Sequence, residues 1–322
     1  MTIGTYPTPV ERIGALSRAR CELWVKRDDR THARYGGNKV RKLEHILEEA
    51  RRRNARRIVT LGAAGSHHVL ATVVHGTAAG FRVAAVLTPQ PFSEHARDNL
   101  RAGLGLGLEA FAARSFAAVP IVLGRVLGRG DYFVPPGGSN ALASVGYADA
   151  VRELAGQIDA GELPTPDLLV AALGSGGTVA GLLAGVRATS LPCRVLGVRV
   201  VEPPLVTRAS TLLLARAVCK RMGVSASLRE LGSVLEIDDS LLGQGYAWPT
   251  PWGERAIEVG RRVGLELEAT YTAKAFSAVL RLVEHAAVGR VLYWHTLSSA
   301  PMEPLLAGAP ELPEELRGLF VR

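Results

Sequence analysis

The sequence is poor in lysine, with five among 322 residues against thirty-three arginines. Arginine replaces lysine as a surface charge, but its guanidinium stays protonated and forms no imine. Lysines kept in an arginine-biased chain therefore invite inspection as nucleophiles, and Lys26, Lys39 and Lys42 fall within one stretch of seventeen residues. Cysteine is also scarce. Cys21, Cys193 and Cys219 are odd in number, widely spaced and form no CxxC pair, which argues against a disulfide framework and a structural zinc site. No N-terminal basic segment leads into an apolar run, and the longest apolar stretches are interrupted well short of about 18 residues. Neither an export signal nor a membrane span is expected, and the cytoplasm is the expected location. Aromatic residues make up only 6%, too few for a base-stacking platform, and the arginines behind the net charge of +8 are scattered. Their densest run, Arg51–Arg53 with Arg56 and Arg57, closes a predicted helix whose last turn favours cations. No nucleic-acid partner is expected.

What is present is a large apolar content, 48%, arranged as short strands alternating with helical patterns. Strands are predicted at 22–26, 57–61, 82–87, 132–134, 167–173, 194–201, 234–237 and 290–294. Helices are predicted from an N-cap at Asn38 to about Arg53, and near 67–79, 93–103, 115–127, 140–158, 178–188, 205–222, 252–263 and 273–287. This alternation predicts an α/β fold of open parallel sheets covered on both faces, in two domains with a cleft between them. In such sheets ligands lie beyond the carboxyl ends of the strands, so the strand-to-helix loops carry the chemistry.

Four loops stand out. In Tyr35-Gly-Gly-Asn-Lys39 two glycines permit a tight turn and a lysine opens a helix. At 100° per residue Lys39 lies about 40° from the centre of the apolar stripe and Lys42 about 100° from it, so Lys39 points inward, where lost hydration lowers an amine's pKa. Gly62-Ala-Ala-Gly-Ser66-His67-His68 ends a strand and opens a helix. Ser66 is either a plain N-cap or a hydroxyl for a substrate carboxylate, and adjacent histidines face apart and make a poor metal pair. Gly174-Ser175-Gly176-Gly177-Thr178 exposes successive N–H groups at a helix start, an anion cradle. It lacks the Gly-Lys-Ser/Thr ending of an ATP loop; a dinucleotide site using Gly174, Gly176 and Glu202 is a rival, although Val179 occupies the third glycine position. The fourth region joins Gly243–Pro251, with Tyr246, to Thr270–Lys274, with Tyr271 and Thr272, and to His295-Thr296. Its tyrosines are packing residues or acid–base groups.

An imine-forming lysine with a separate phosphate cradle suits pyridoxal 5′-phosphate. Val25–Asp29, Gly36–Glu44, Gly137-Gly-Ser-Asn140 with Gly146-Tyr147, Gly174–Thr178, Gly245-Tyr246 with Pro249, and Tyr271–Lys274 run in the order seen in one family. The chain resembles the D-cysteine desulfhydrase and 1-aminocyclopropane-1-carboxylate deaminase family, of the tryptophan synthase β-like pyridoxal phosphate fold (fold type II). The resemblance implies that Lys39 binds the cofactor aldehyde beside Asn38, and that Lys42 and Ser175–Thr178 hold its phosphate. Ser66 would meet the substrate carboxylate, Tyr246 and Tyr271 the reaction face, and Thr272 and Thr296 would stand near the pyridine nitrogen. It also implies a larger domain of 1–47 and 147–322 with a smaller one, 48–146, inserted, and a homodimer. Two departures bear on the substrate: His67 stands where the family has an asparagine beside the ring's 3-hydroxyl, and Leu297-Ser298 replaces Gly-Gly. The expected reaction is β-elimination and deamination of a small amino acid. The alternatives are a biosynthetic lyase, synthase or racemase on an unusual amino acid and, remotely, a nicotinamide oxidoreductase.

Overall fold

Runs of valine, leucine and alanine closed by glycine or proline set the alternation of strand and helix. A computed structural model describes residues 1–321. Its strands are β1 (Val10–Arg12), β2 (Glu22–Arg27), β3 (Arg57–Ala63), β4 (Arg82–Thr88), β5 (Gln90–Pro91), β6 (Glu109–Ala112), β7 (Asp131–Val134), β8 (Leu168–Leu173), β9 (Arg194–Arg199), β10 (Leu235–Asp238), β11 (Arg290–His295) and β12 (Phe320–Val321). Its longer helices are α1 (Asn38–Arg52), α2 (His67–Ala78), α3 (Glu94–Gly105), α4 (Val119–Val126), α5 (Ala141–Asp159), α6 (Gly177–Thr189), α7 (Arg208–Arg221), α8 (Leu228–Ser233), α9 (Pro251–Arg262) and α10 (Thr272–Glu284).

Among the described residues one sheet has six strands in the order β1-β2-β11-β8-β9-β10, parallel except for β1. A second has four, β6-β4-β3-β7, all parallel. The larger sheet draws strands from both ends of the chain, whereas the smaller uses only residues between 57 and 134. Buried residues of α5, α6 and α7 cover one face of the larger sheet, and those of α9 and α10 the other. Burial on both faces explains why β8 reads as an unbroken apolar run.

The differences from the sequence reading are local. β6, Glu-Ala-Phe-Ala, was not predicted because it lacks β-branched residues; it forms at a sheet edge through backbone pairing with β4. The helix predicted over 115–127 divides into a 3-10 turn, Phe116–Ala118, and α4. The predicted 205–222 helix begins only at Arg208, where a Thr207–Ser210 capping box starts it, and α8 is an addition.

Candidate active site

The carboxyl ends of β3, β4 and β8, with the segments that follow β2 and β11, open toward a cavity of about 540 Å³. Lys39, Lys42, Ser66, His67, Ser175, Gly176, Thr178, Tyr246, Tyr271, Thr272 and Thr296 line it, together with Asn38. Gly177 is not part of this lining; its N–H donates to Ser139 Oγ.

Lys39 reaches the cavity through a constrained turn. Gly37 has φ +89°, and a Cβ there would lie 2.6 Å from the Thr296 carbonyl, so glycine is required. Asn38 is not the N-cap; Gly37 is, and Asn38 is the first helical residue. Its carboxamide is turned away from its own helix to accept from Lys39 Nζ at 2.8 Å and donate to Thr178 Oγ1 at 3.1 Å. Burial pulls the Lys39 amine down to about 8, with the Glu268 carboxylate partly opposing the shift. Lys42, placed at the margin of the apolar stripe by the helical wheel, is more buried than that position suggests, at 2% exposed. The 136–138 turn and the start of α6 cover that flank of α1, and the covering drives the Lys42 amine well below its ordinary value.

Around Lys42 the chain builds a socket of donors. Its Nζ donates to Gly137 O at 3.2 Å and Ser139 Oγ at 3.3 Å, and Ser139 Oγ lies 2.7 Å from Ser175 Oγ. Ser139 Oγ also accepts the Gly177 N–H at 3.1 Å. Gly176, with φ +84°, caps α6, whose amino end adds its dipole. A Cβ on Gly177 would come within 2.8 Å of Lys42 Nζ and 2.5 Å of Ser139 Oγ. Among the described residues no carboxylate pairs with Lys42. A buried ammonium beside hydroxyls, a backbone N–H and a helix start is suited to a phosphate.

Ser66 is the N-cap of α2, but its hydroxyl makes no capping bond and is left to face the cavity. Of the paired histidines, His68 turns inward to Thr60 Oγ1 at 2.9 Å. His67 instead meets Tyr35 Oη at 2.8 Å through Nδ1 and His95 Nε2 at 3.2 Å through Nε2. Burial, then the neighbouring His95, depresses the His67 imidazole to about 3.

Tyr246 and Tyr271 share a hydrogen bond of 2.8 Å between their hydroxyls, and burial lifts Tyr246 to about 12. The loop carrying Tyr246 is tied down by Lys274 Nζ, which donates to Leu242 O and Gly245 O at 2.8 Å each. Tyr271 is placed by Glu268, a residue that sequence reasoning missed. Its carboxylate accepts the N–H groups of Thr270, Tyr271 and Thr272 at 2.7, 2.8 and 2.9 Å, capping α10 from four residues upstream. The Thr272 hydroxyl already lies 3.2 Å from Glu268 Oε1 and accepts the Glu268 N–H at 2.8 Å. Burial favours protonation of Glu268, but His67 and these N–H groups outweigh it and keep the carboxyl below its usual range. Ser139 was also missed as a site residue. Its signal lies in the Gly137-Gly-Ser-Asn140 stretch, which the resemblance includes without giving Ser139 a role.

Residues 1–296 match the family model of the pyridoxal-phosphate dependent enzymes. The chain belongs to that family. Its cofactor is pyridoxal phosphate, which the Lys42 socket and the depressed Lys39 amine fit. Among related family members, nocardicin C-9′ epimerase of Nocardia uniformis is 34% identical over 307 residues, covering 92% of this chain and 91% of that protein. D-cysteine desulfhydrase of Yersinia pestis is 31% identical over 305 residues, covering 90% of each. The crystal structure of an ACC deaminase homologue superposes with a TM-score of 0.80 at 28% identity, covering 94% of both chains. An L-serine ammonia-lyase from Rhizomucor miehei shares the fold alone, at a TM-score of 0.63 and 18% identity over 94% of this chain and 96% of that one. The nicotinamide reading lapses with this assignment, and Glu202, its ribose partner, accepts the Tyr246 N–H at 2.9 Å.

Proposed function

We propose that the chain is a lyase that removes the β-substituent and amino group of a small amino acid, as a D-cysteine desulfhydrase does, giving a 2-oxo acid and ammonia. The observation that carries the reading is the meeting of Lys39, the anionless Lys42 socket and the Tyr246–Tyr271 pair in one cavity. Bound there, pyridoxal phosphate supplies an aldehyde that condenses with amines and an electron sink for charge developing at the substrate Cα. Lys42, Ser175, Gly176, Gly177 and Thr178 would hold the phosphate, with Ser139 orienting Lys42 and Ser175. Lys39 Nζ, part neutral near pH 8, would bind the aldehyde and would serve as the base for the Cα proton. Ser66 and the first N–H groups of α2 receive the substrate carboxylate. Tyr271, fixed by Glu268, and Tyr246 hold a proton between two oxygens at the reaction face. Thr296 and Thr272 would stand near the pyridine nitrogen and His67 near the ring hydroxyl, while Asn38 keeps Lys39 directed.

Borohydride reduction followed by peptide mass mapping tests the assignment: the pyridoxyl group is expected on Lys39, and a K39A protein is expected to lose both the visible absorbance and turnover. Modification elsewhere, or turnover by K39A, would end this reading. Release of pyruvate or 2-oxobutyrate from D-cysteine, L-cysteine and 1-aminocyclopropane-1-carboxylate then selects the substrate.

A second reading, epimerisation at Cα, draws support from the nocardicin epimerase relative and from an acid–base pair, Tyr246–Tyr271, separate from Lys39. Deuterium uptake at Cα with inversion, and no 2-oxo acid, would favour it. We further propose domain boundaries near residues 47 and 147, a cytoplasmic location, and a homodimer. The resemblance to the desulfhydrase family supports the dimer, and sedimentation checks it.

A further inference from the structure

The departure at position 67 places a histidine in the middle of a hydrogen-bonded line that leaves the cavity. Tyr35 and His67 both line the cavity, and Tyr35 Oη lies 2.8 Å from His67 Nδ1. On the far side of the same ring, His67 Nε2 lies 3.2 Å from Nε2 of His95, which is solvent-exposed on the first turn of α3. One turn later on the same helix, Asn99 is turned toward His67 while its Nδ2 donates to Gly65 O at 3.0 Å, so α3 and the β3–α2 loop are locked in register. Among the described residues no group of three or more His, Cys, Asp or Glu side chains is placed to hold a metal. The other ionisable groups facing His67 are Lys39, Glu268 and Tyr271.

We propose that Tyr35, His67 and His95 form a proton relay between the cavity and solvent that supplies the departing β-substituent with its proton. The proposal rests on the lyase reading above. In one tautomer set His95 Nε2–H donates to His67 Nε2, His67 Nδ1–H donates to Tyr35 Oη, and the tyrosine O–H points into the cavity. As the Cβ–substituent bond breaks, its electron pair leaves on the substituent, which takes the Tyr35 proton. Tyr35 takes the His67 Nδ1 proton, His67 takes the His95 Nε2 proton, and water or buffer acid returns one to His95 Nδ1. One proton enters from solvent and one is delivered, with no net charge left on the line. Both rings end in the opposite tautomer, poised to carry a proton outward. A half-buried imidazole flanked by a hydroxyl and a second imidazole can do this without becoming a stable cation.

His95 is exposed, so its replacement leaves packing intact and provides the decisive variant. H95A is expected to lower kcat roughly tenfold or more with KM unchanged within about twofold, and added imidazole is expected to restore kcat in a saturable way. H67N, which installs the family's usual asparagine, is expected to lose kcat without imidazole rescue. Independently of turnover, ¹⁵N-histidine spectra of the substrate-free protein should show His67 and His95 in coupled tautomers, with the His67 resonances moving in H95A. A wild-type kcat in H95A, or His67 resonances indifferent to that change, overturns the relay. Because wild-type protein lacking 2-oxo acid release would instead defeat the lyase reading, the two failures are separable.

Discussion

Lysine is drawn inward throughout this chain. Lys26 and Lys274 are fully buried, Lys42 is 2% exposed and Lys39 lines the cavity, so that among the described residues only Lys220 stands exposed. The clustering of Lys26, Lys39 and Lys42 in sequence mixes two roles. Lys26 donates to Thr8 O and pairs with Glu153, a structural task, whereas Lys39 and Lys42 share the cavity. Imine formation needs the neutral amine, so the rate at which the cofactor-free protein takes up pyridoxal phosphate is expected to rise with pH and level off above about 8. Glu268 raises the Lys39 pKa, so E268Q should move that plateau to lower pH in stopped-flow absorbance. Glycine at 177 is fixed by the side-chain tips it faces. G177A should leave the fold intact but weaken pyridoxal phosphate roughly tenfold, the equivalent of one charge-assisted hydrogen bond, measurable by equilibrium dialysis.

At the scale of elements, loops at strand ends carry the chemistry and short helices are aimed by their caps. The amino end of α6 with Lys42 lacks an anion partner, so inorganic phosphate at a hundred times its Kd should stabilise the protein by about 2.7 kcal/mol in thermal unfolding. K42M should abolish that response and raise the phosphate-free Tm, since it removes a buried amine that no carboxylate supports. Most of this layer was legible in the sequence. Strand-to-helix alternation placed β2, β3, β8 and β11 and hence the loops that meet at the cavity, and glycine spacing marked the 36–37 and 174–177 turns. What was hidden depended on contacts between distant segments. Glu268 looks like any helix-flanking acid until its three N–H partners close around it, Ser139 looks like any loop serine until Gly177 and Lys42 meet it, and β6 exists only because β4 offers it a ladder. Asn38 was misread as a cap because local pattern favoured it, while Thr178, 140 residues away, claimed its side chain.

For the whole molecule, a buried ionic knot fixes α1 against the larger sheet. Asp28, just past β2, accepts from Arg41 of α1 at 2.8 and 2.9 Å, Tyr147 of α5 at 2.8 Å and Trp294 of β11 at 2.7 Å. Burial disfavours this carboxylate, but Arg41 more than offsets the penalty and holds its pKa below the ordinary 3.8. A folded pKa lower than the unfolded one means the stabilisation is complete above 3.8 and fades as acid drives the pH down through the folded value. D28N, which leaves Arg41 facing a neutral amide, should cost about 3–5 kcal/mol in urea unfolding at neutral pH and flatten the acid limb of the stability curve.

The inward placement of lysine has a practical corollary. A bulky acylating dye or an activated bead that cannot enter the cavity meets, among the lysines of the described residues, Lys220 near the end of α7. Single-point tethering, a chore for most enzymes, is thus available here with native residues and without masking the pocket.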